Sequence, residues 1–316
     1  MILAITGGTG FIGRSLVSRA LEAGDKVRVL SRRSAREALF PPGVQFHCSD
    51  LARSSAVNGE LRGFLENADV LVHCAGEVND AGSMRALHVH GTQRLIDTGR
   101  GRIRRWVQLS SVGAYGAQRA GAIRENTPAS PVGEYEVTKA EADRLVLTAA
   151  EEGAFETVVL RPSIVFGPSM PNQSLYQLVS LVERGWFGFV GAPGAMANYV
   201  FVDDVADALW ECATSPNARG AYNLSDDRTM EVFVACIAKA LGRPEPELRL
   251  PEAPLRMAAW ILQLLPRSPL TVSRVDALTR RTTYPSARIE QELGFKFRVS
   301  IEEGLRRLVE DWRRRR

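Results

Sequence analysis

The sequence predicts a doubly wound α/β protein, with a parallel sheet covered by helices on both faces and a smaller, mostly C-terminal lobe. Three observations predict it. Short apolar runs alternate with helical patterns through the first half, as parallel strands joined by crossover helices require. Three glycines spaced three apart, Gly7, Gly10 and Gly13, separate the first apolar run from the first helical pattern. The chain has 316 residues, 45% of them hydrophobic, which is enough for one large core.

The elements follow in order. Leu3–Thr6 is a short buried strand, and Arg14–Ala23 an amphipathic helix. Lys26–Ser31 and Gln45–Cys48 are the next strands, followed by a helix over Ser54–Leu65 and a strand over Val70–Cys74. His90–Arg100 reads as a helix, Arg105–Ser110 as a strand, Glu134–Glu152 as a long helix and Glu156–Arg161 as a strand. After Pro168 the alternation loosens. Tyr199–Asp203 and Val205–Thr214 read as a further strand and helix, and Ala221–Leu224 as the last strand of the sheet. The chain thus leaves the main sheet and returns to it. Residues 1–168 plus 199–224 are expected to form the sheet domain, and 169–198 plus 225–316 the lobe. Right-handed crossovers collect the strand ends on one edge, where ligands bind.

Composition narrows the classes of function. Net charge is +4, part of it from Arg313–Arg316, which reads as a solvated helix end. No wide basic face interleaved with aromatics is present, so nucleic acid is not an expected partner. Cys48, Cys74, Cys212 and Cys236 lack metal or disulfide spacing and read as small buried hydrophobes. His47, His73 and His90 have no companions at metal-ligand spacing, so no metal is expected. The longest nearly apolar run, Leu255–Leu265, contains Arg256 and Gln263 and is too short to span a bilayer. These features lead us to expect a cytoplasmic protein without a membrane partner.

Two constellations carry chemistry. Gly7 permits a tight turn, Gly10 lets backbone approach an anion, and Gly13 lets helix and strand pack closely. The helix N-terminus that follows presents free N–H groups and partial positive charge, a pyrophosphate-cradling arrangement. Tyr135 and Lys139 stand at i, i+4, on one face of the predicted long helix. A cationic Lys139 beside the phenol would lower its pKa and let Tyr135 exchange a proton at neutral pH. Ser110-Ser111 ends the preceding strand, placed to hydrogen-bond the same substrate oxygen.

Together these motifs resemble the extended short-chain dehydrogenase/reductase family, also called the NAD-dependent epimerase/dehydratase family, whose fold is a Rossmann sheet. The resemblance rests on Thr6–Gly13, Asp50-Leu51, Cys74–Gly76, Ser110–Gly116, Tyr135–Lys139, Leu160–Pro168, Tyr199–Leu209 and Tyr222–Leu224. It implies a catalytic set of Ser111, Tyr135 and Lys139. Ser111 is preferred to Ser110 because it stands four residues before Tyr115-Gly116, the family's usual offset. Tyr135 would be the general acid or base, Ser111 would orient the substrate oxygen, and Lys139 would also bind the nicotinamide ribose. Besides the three glycines, the resemblance assigns Thr9, Phe11, Ile12 and Pro162 to the cofactor. Asp50-Leu51 look like the adenine contact, and Ala75-Gly76 like the cofactor's backing wall. Family members often dimerise through the helix carrying the Tyr/Lys pair, so a homodimer is a further implication.

Relatives that use NAD(H) carry an acidic residue at the end of the second strand, whereas this chain has Ser31, Arg32 and Arg33. A hydroxyl and two guanidiniums suit a 2′-phosphate, which favours NADP(H) over NAD(H). The family's dehydratases place Asp-Glu directly after the catalytic hydroxyl residue. This chain has Val112-Gly113, so dehydration is not expected. Nucleotide-sugar epimerases carry an Asn near Ser163–Val165 and an Arg near Ala197, where this chain has Ile164 and Ala197. A diphosphate would then need other grips, such as Arg184 or Arg274. His88 replaces a family Asn, either as a structural histidine or as an extra proton relay.

Trp186, Phe187, Phe189 and Met196, with helices after Pro269, would give a lid or lobe core. The favoured function is hydride transfer between nicotinamide and a ketone or secondary alcohol. The alternatives are a nucleotide-sugar epimerase and a non-catalytic cofactor-binding scaffold; Leu160–Gly167 also resembles non-catalytic members attached to respiratory complex I.

Overall fold

The computed structural model describes residues 1–32, 40, 42–53, 58–262 and 271–316. Along the chain, β1 (Ile2–Thr6) leads into α1 (Phe11–Glu22), then β2 (Lys26–Ser31), β3 (Val44–Cys48), α2 (Asn58–Leu65) and β4 (Val70–His73). The first residues of the expected α2, 54–57, lie outside the described residues. A helix follows in three joined pieces: α3 (Ala81–Arg85), a π-helical stretch (Ala86–Gly91) and α4 (Thr92–Gly99). Next come β5 (Arg105–Leu109), a 3₁₀ turn (Val112–Tyr115), β6 (Ala120–Ala122), α5 (Glu134–Glu151) and β7 (Glu156–Pro162).

Seven parallel strands form the main sheet in the order β3-β2-β1-β4-β5-β7, closed by β11 (Gly220–Leu224) beside β7. From β1 the chain winds outward first through β2 and β3, then returns to β4 on its other side. The switch point therefore lies between β1 and β4, where a crevice opens at the strand ends. Alternation along each strand feeds two cores. Leu3, Ile5, Val27, Val29, Val72 and Val107 pack against Leu16 and Val17 of α1 on one face. Ala4, Leu30, Leu71 and Trp106 pack against Leu61, Phe64, Leu95 and Val146 from the helices of the other.

Beyond β7 come β8 (Ile164–Phe166), α6 (Gln173–Glu183), β9 (Phe189–Val190), β10 (Met196–Phe201) and α7 (Val202–Thr214). After β11 follow β12 (Asp226–Thr229), α8 (Met230–Leu241), β13 (Arg249–Leu250), α9 (Glu252–Leu262), α10 (Val272–Thr279), β14 (Arg281–Thr283), α11 (Ala287–Leu293) and α12 (Ile301–Arg314). A third core joins Phe166, Val179, Phe233, Leu305, Leu308 and Trp312. Among the described residues, no helix is long and apolar enough to cross a membrane.

Several expectations change. The strand expected over Tyr199–Asp203 ends at Phe201, and Asp203 and Asp204 sit in the first turn of α7, where a helix favours negative charge. That strand pairs with β8 and β12 rather than with the main sheet. Helix α11 is not a lid, because Ile289 and nearby Phe295 pack into the main-sheet core. Cys48 is exposed at the end of β3 rather than buried. Of the aromatics proposed for a lid, Phe187 and Phe189 pack edge to face at 5.1 Å within the lobe core, while Trp186 is 70% exposed.

Candidate active site

The glycine turn sits at the switch point. Gly7 has φ +68°, and a Cβ there would meet the Ala75 backbone nitrogen at 2.7 Å. Only glycine lets the turns after β1 and β4 touch. A Cβ on Gly13 would lie 2.2 Å from the Gly7 carbonyl, so α1 packs on the turn itself. Gly10 faces open space except for that same carbonyl, 3.1 Å from its ideal Cβ. The start of α1 has no side-chain cap and no acidic residue in its first turn. The N–H groups of Phe11, Ile12 and Gly13 therefore have no intrahelical partner, an arrangement that suits an anion.

Around it stand the other residues read from the sequence. Thr9 Oγ1 meets Ser31 Oγ at 3.2 Å, joining the turn to the end of β2. Arg32 is exposed directly after Ser31, and Arg33 lies outside the described residues. Asp50 accepts from the Ala52 N–H at 3.0 Å and braces the turn after β3. Leu51 is buried, and its carbonyl accepts from Arg94. The Ala75 N–H donates to Thr6 Oγ1 at 3.2 Å, and Gly76 lies against His88. Pro162 ends β7, level with Leu224 of β11.

Ser111, Tyr135 and Lys139 come from neighbouring elements. Leu109 and Leu160 are in register, so β5 delivers Ser110 and Ser111 to the sheet's C-terminal edge. Ser110 is buried and donates to Asp143 Oδ2 at 2.6 Å, which leaves Ser111 as the serine at the edge. Ser111 caps the 3₁₀ turn by accepting from the Gly113 N–H at 3.1 Å, so its O–H proton remains available to donate. Glu136 fixes the start of α5, its Oε2 accepting from the Val132 and Gly133 N–H groups at 3.0 and 3.3 Å. Lys139 is buried, and its Nζ donates to the Leu109 carbonyl, tying α5 to β5.

The expected lowering of the Tyr135 pKa by Lys139 is not found. Burial pushes the phenol up to about 12, with Asp143 and Glu136 adding to the rise. Burial in turn lowers the Lys139 pKa, opposed chiefly by the charge of Asp143.

His88 is structural in its contacts. Its Nε2 accepts from the Glu77 N–H at 2.9 Å, so the ring proton sits on Nδ1 and reaches Thr138 Oγ1 at 2.8 Å. Its ring meets Tyr135 edge to face, centroids 5.7 Å apart. Burial lowers its pKa to about 4. His73 bridges Thr6 and Thr92 at 2.6 and 3.1 Å, and burial lowers it to about 3.

Sequence reasoning gave no role to Asp143, nor to Arg161 and Asn223, which lie within the motifs Leu160–Pro168 and Tyr222–Leu224. Arg161 lies 3.3 Å from Asp143 Oδ2 and donates to the Tyr115 hydroxyl at 3.0 Å, which donates to Asn223 Oδ1 at 2.8 Å. Two signals were present: a lone arginine ending the apolar run Val158–Leu160, and an acid one helical turn beyond Lys139.

A model of the NAD dependent epimerase/dehydratase family matches residues 3–225. The chain is 30% identical over 333 residues to a 2-alkyl-3-oxoalkanoate reductase of Stenotrophomonas maltophilia, covering 98% of each. It is 25% identical to the UDP-glucose 4-epimerase of Vibrio cholerae, covering 98% of this chain and 94% of that one. In fold it is similar to the UDP-glucose 4-epimerase of Thermus thermophilus in complex with NAD, with a TM-score of 0.74 at 24% identity and 99% of each chain covered. The family match runs from the first strand, through the glycine turn, to the end of the main sheet's last strand; the chain belongs to the NAD dependent epimerase/dehydratase family.

Proposed function

We propose that the protein is an NADP(H)-dependent reductase that converts a ketone carrying an apolar chain into a secondary alcohol. The observation that carries this reading is placement: β5 brings Ser111 to the sheet's C-terminal edge, and Lys139, donating to the Leu109 carbonyl, ties the helix that carries the protonated Tyr135 phenol to the same strand. Ser111 orients the substrate oxygen, Tyr135 gives it a proton, and Lys139 supplies positive charge beside both. The cofactor supplies the hydride when bound. The uncapped first turn of α1 and the open face of Gly10 suit its pyrophosphate.

The rim supports an apolar substrate. Val78 follows β4, Val132 precedes α5 and Ile164 follows β7, and all three expose aliphatic surface. Ala197 is buried in the lobe core, so this position offers no cation to a diphosphate. Val112-Gly113 supplies no acid or base for elimination. Ser31 and Arg32, with no carboxylate beside them in the sequence, favour a 2′-phosphate. We also infer a soluble homodimer that pairs through α5.

The test pairs cofactor titration with substrate turnover. The protein should bind NADPH more tightly than NADH and oxidise NADPH when given a long-chain 3-oxo ester. The UDP-glucose 4-epimerase relative makes epimerisation the competing outcome. Tightly retained NAD released on denaturation, with turnover of a UDP-sugar and none of the ketone, would overturn the reductase reading.

A further inference from the structure

We propose that Asp143 is a positioning residue of this site: a buried carboxylate that grips the Ser110 hydroxyl and the Arg161 guanidinium and keeps a negative charge one helical turn beyond Lys139. The proposal rests on the reading of Ser111, Tyr135 and Lys139 as the reacting set.

Asp143 is 2% exposed and carries three contacts on one oxygen. Oδ2 accepts from Ser110 Oγ at 2.6 Å and from Arg161 Nε and Nη2 at 3.4 and 3.3 Å. Oδ1 is buried with no hydrogen-bond partner among the described residues, and burial raises the carboxyl, opposed chiefly by the Arg161 charge and the Ser110 hydrogen bond that favour the carboxylate. Its grip on Ser110 sets the strand end from which Ser111 emerges. The carbonyl that anchors Lys139 belongs to Leu109, one residue earlier, so one carboxylate governs the placement of both groups.

Charge gives the second half of the argument. Lys139 is buried and Arg161 mostly so beside this carboxylate, and buried cations without a counter-charge are costly. Among the described residues, the other groups nearby do not provide one. Cys74, directly after β4, is a half-buried thiol pushed up to about 12, His73 and His88 are neutral, and Tyr115 is a phenol already bound to Arg161. Glu134 and Glu141 of α5 pair with Arg85 of α3, and Glu136 caps its own helix. Asp143 opposes the loss of the Lys139 proton and also raises Tyr135.

The experiment compares Asp143→Asn with Ser110→Ala. The asparagine keeps the shape and removes the charge, so the Lys139 midpoint should fall by about one pH unit. This is read without substrate from the ¹³Cε shift of labelled lysine, and the alkaline limb of kcat/KM should move down with it. Ser110→Ala keeps the charge but frees the strand end. It should lower kcat about tenfold while leaving the Lys139 midpoint in place. Should Asp143→Asn fail to fold, Asp143→Asn/Arg161→Gln leaves no unpaired charge and should give the same downward shift. Asp143→Glu should restore the wild-type midpoint. An unmoved midpoint in either asparagine variant overturns the proposal. A moved midpoint in a protein that reduces no ketone supports it and removes the reductase reading instead.

Discussion

At the scale of single residues, Tyr135 and Gly13 carry the sharpest expectations. Tyr135→Phe removes one hydroxyl from a ring whose edge-to-face contact with His88 does not need it. Turnover should fall by about 10²- to 10⁴-fold while NADPH affinity changes little, read from steady-state kinetics and a fluorescence titration. Retained turnover would remove Tyr135 from the chemistry. Gly13→Ala places a methyl against the Gly7 carbonyl, a backbone atom that cannot swing aside. The variant should lose about 1–3 kcal/mol of stability and bind cofactor more weakly. Wild-type values in a denaturant melt would show that the turn yields more easily than its geometry implies.

At the scale of elements, the strands and helices of the first half were legible because period-2 and period-3.6 patterns report burial directly, as Leu3–Thr6 and Glu134–Glu151 show. The glycine turn and the Tyr135/Lys139 pair were legible because their spacing is local. Long-range polar pairings were not. Nothing near Arg105 in the sequence announces that its Nη1 donates to the Cys212, Ala213 and Ser215 carbonyls at 3.2, 3.3 and 2.6 Å, closing the C-terminus of α7. The pKa of Tyr135 was misjudged for a similar reason. Spacing puts Lys139 on the same helical face, whereas the phenol responds first to burial, which depends on the whole fold, and then to the charges of Asp143 and Glu136. Arg105→Met should leave those carbonyls buried without a donor and cost about 2–4 kcal/mol. Hydrogen exchange should then quicken in the last turn of α7 before the rest of the sheet.

Across the whole molecule, acid sensitivity should follow the two buried histidines. His73 and His88 have folded pKa values of about 3 and about 4, below the ordinary 6.5, so the unfolded chain binds more protons between those values. Stability therefore rises with pH through this window and is lost as pH falls from about 6.5 towards 4. Asp204 runs the other way. Burial raises it to about 6, so it favours the folded state more as pH falls through that value. Burial also raises Asp143, Asp203, Glu211 and Asp226, while hydrogen bonds hold Glu77, Glu292 and Glu303 low, so the carboxylates act in both directions. The Tm should drop between pH 7 and pH 5, and a flat profile would show that the raised carboxylates offset the two histidines.

The small pair β6–β14 has a consequence for biosynthesis. It joins residues 120–122 to residues 281–283 in parallel, and the Ile123 N–H donates to the Thr283 carbonyl at 2.9 Å. A ribosome therefore releases almost the entire chain before the segment beside the Ser111 turn can find its partner. Closing so long a loop is entropically slow and falls late in folding. The face of the sheet under the glycine turn waits as well, because Val205 and Leu209 of α7 and then Ile289 and Phe295 complete the core against which α1 packs. Arrested translation products that stop before residue 281 should thus neither hold dinucleotide firmly nor turn anything over.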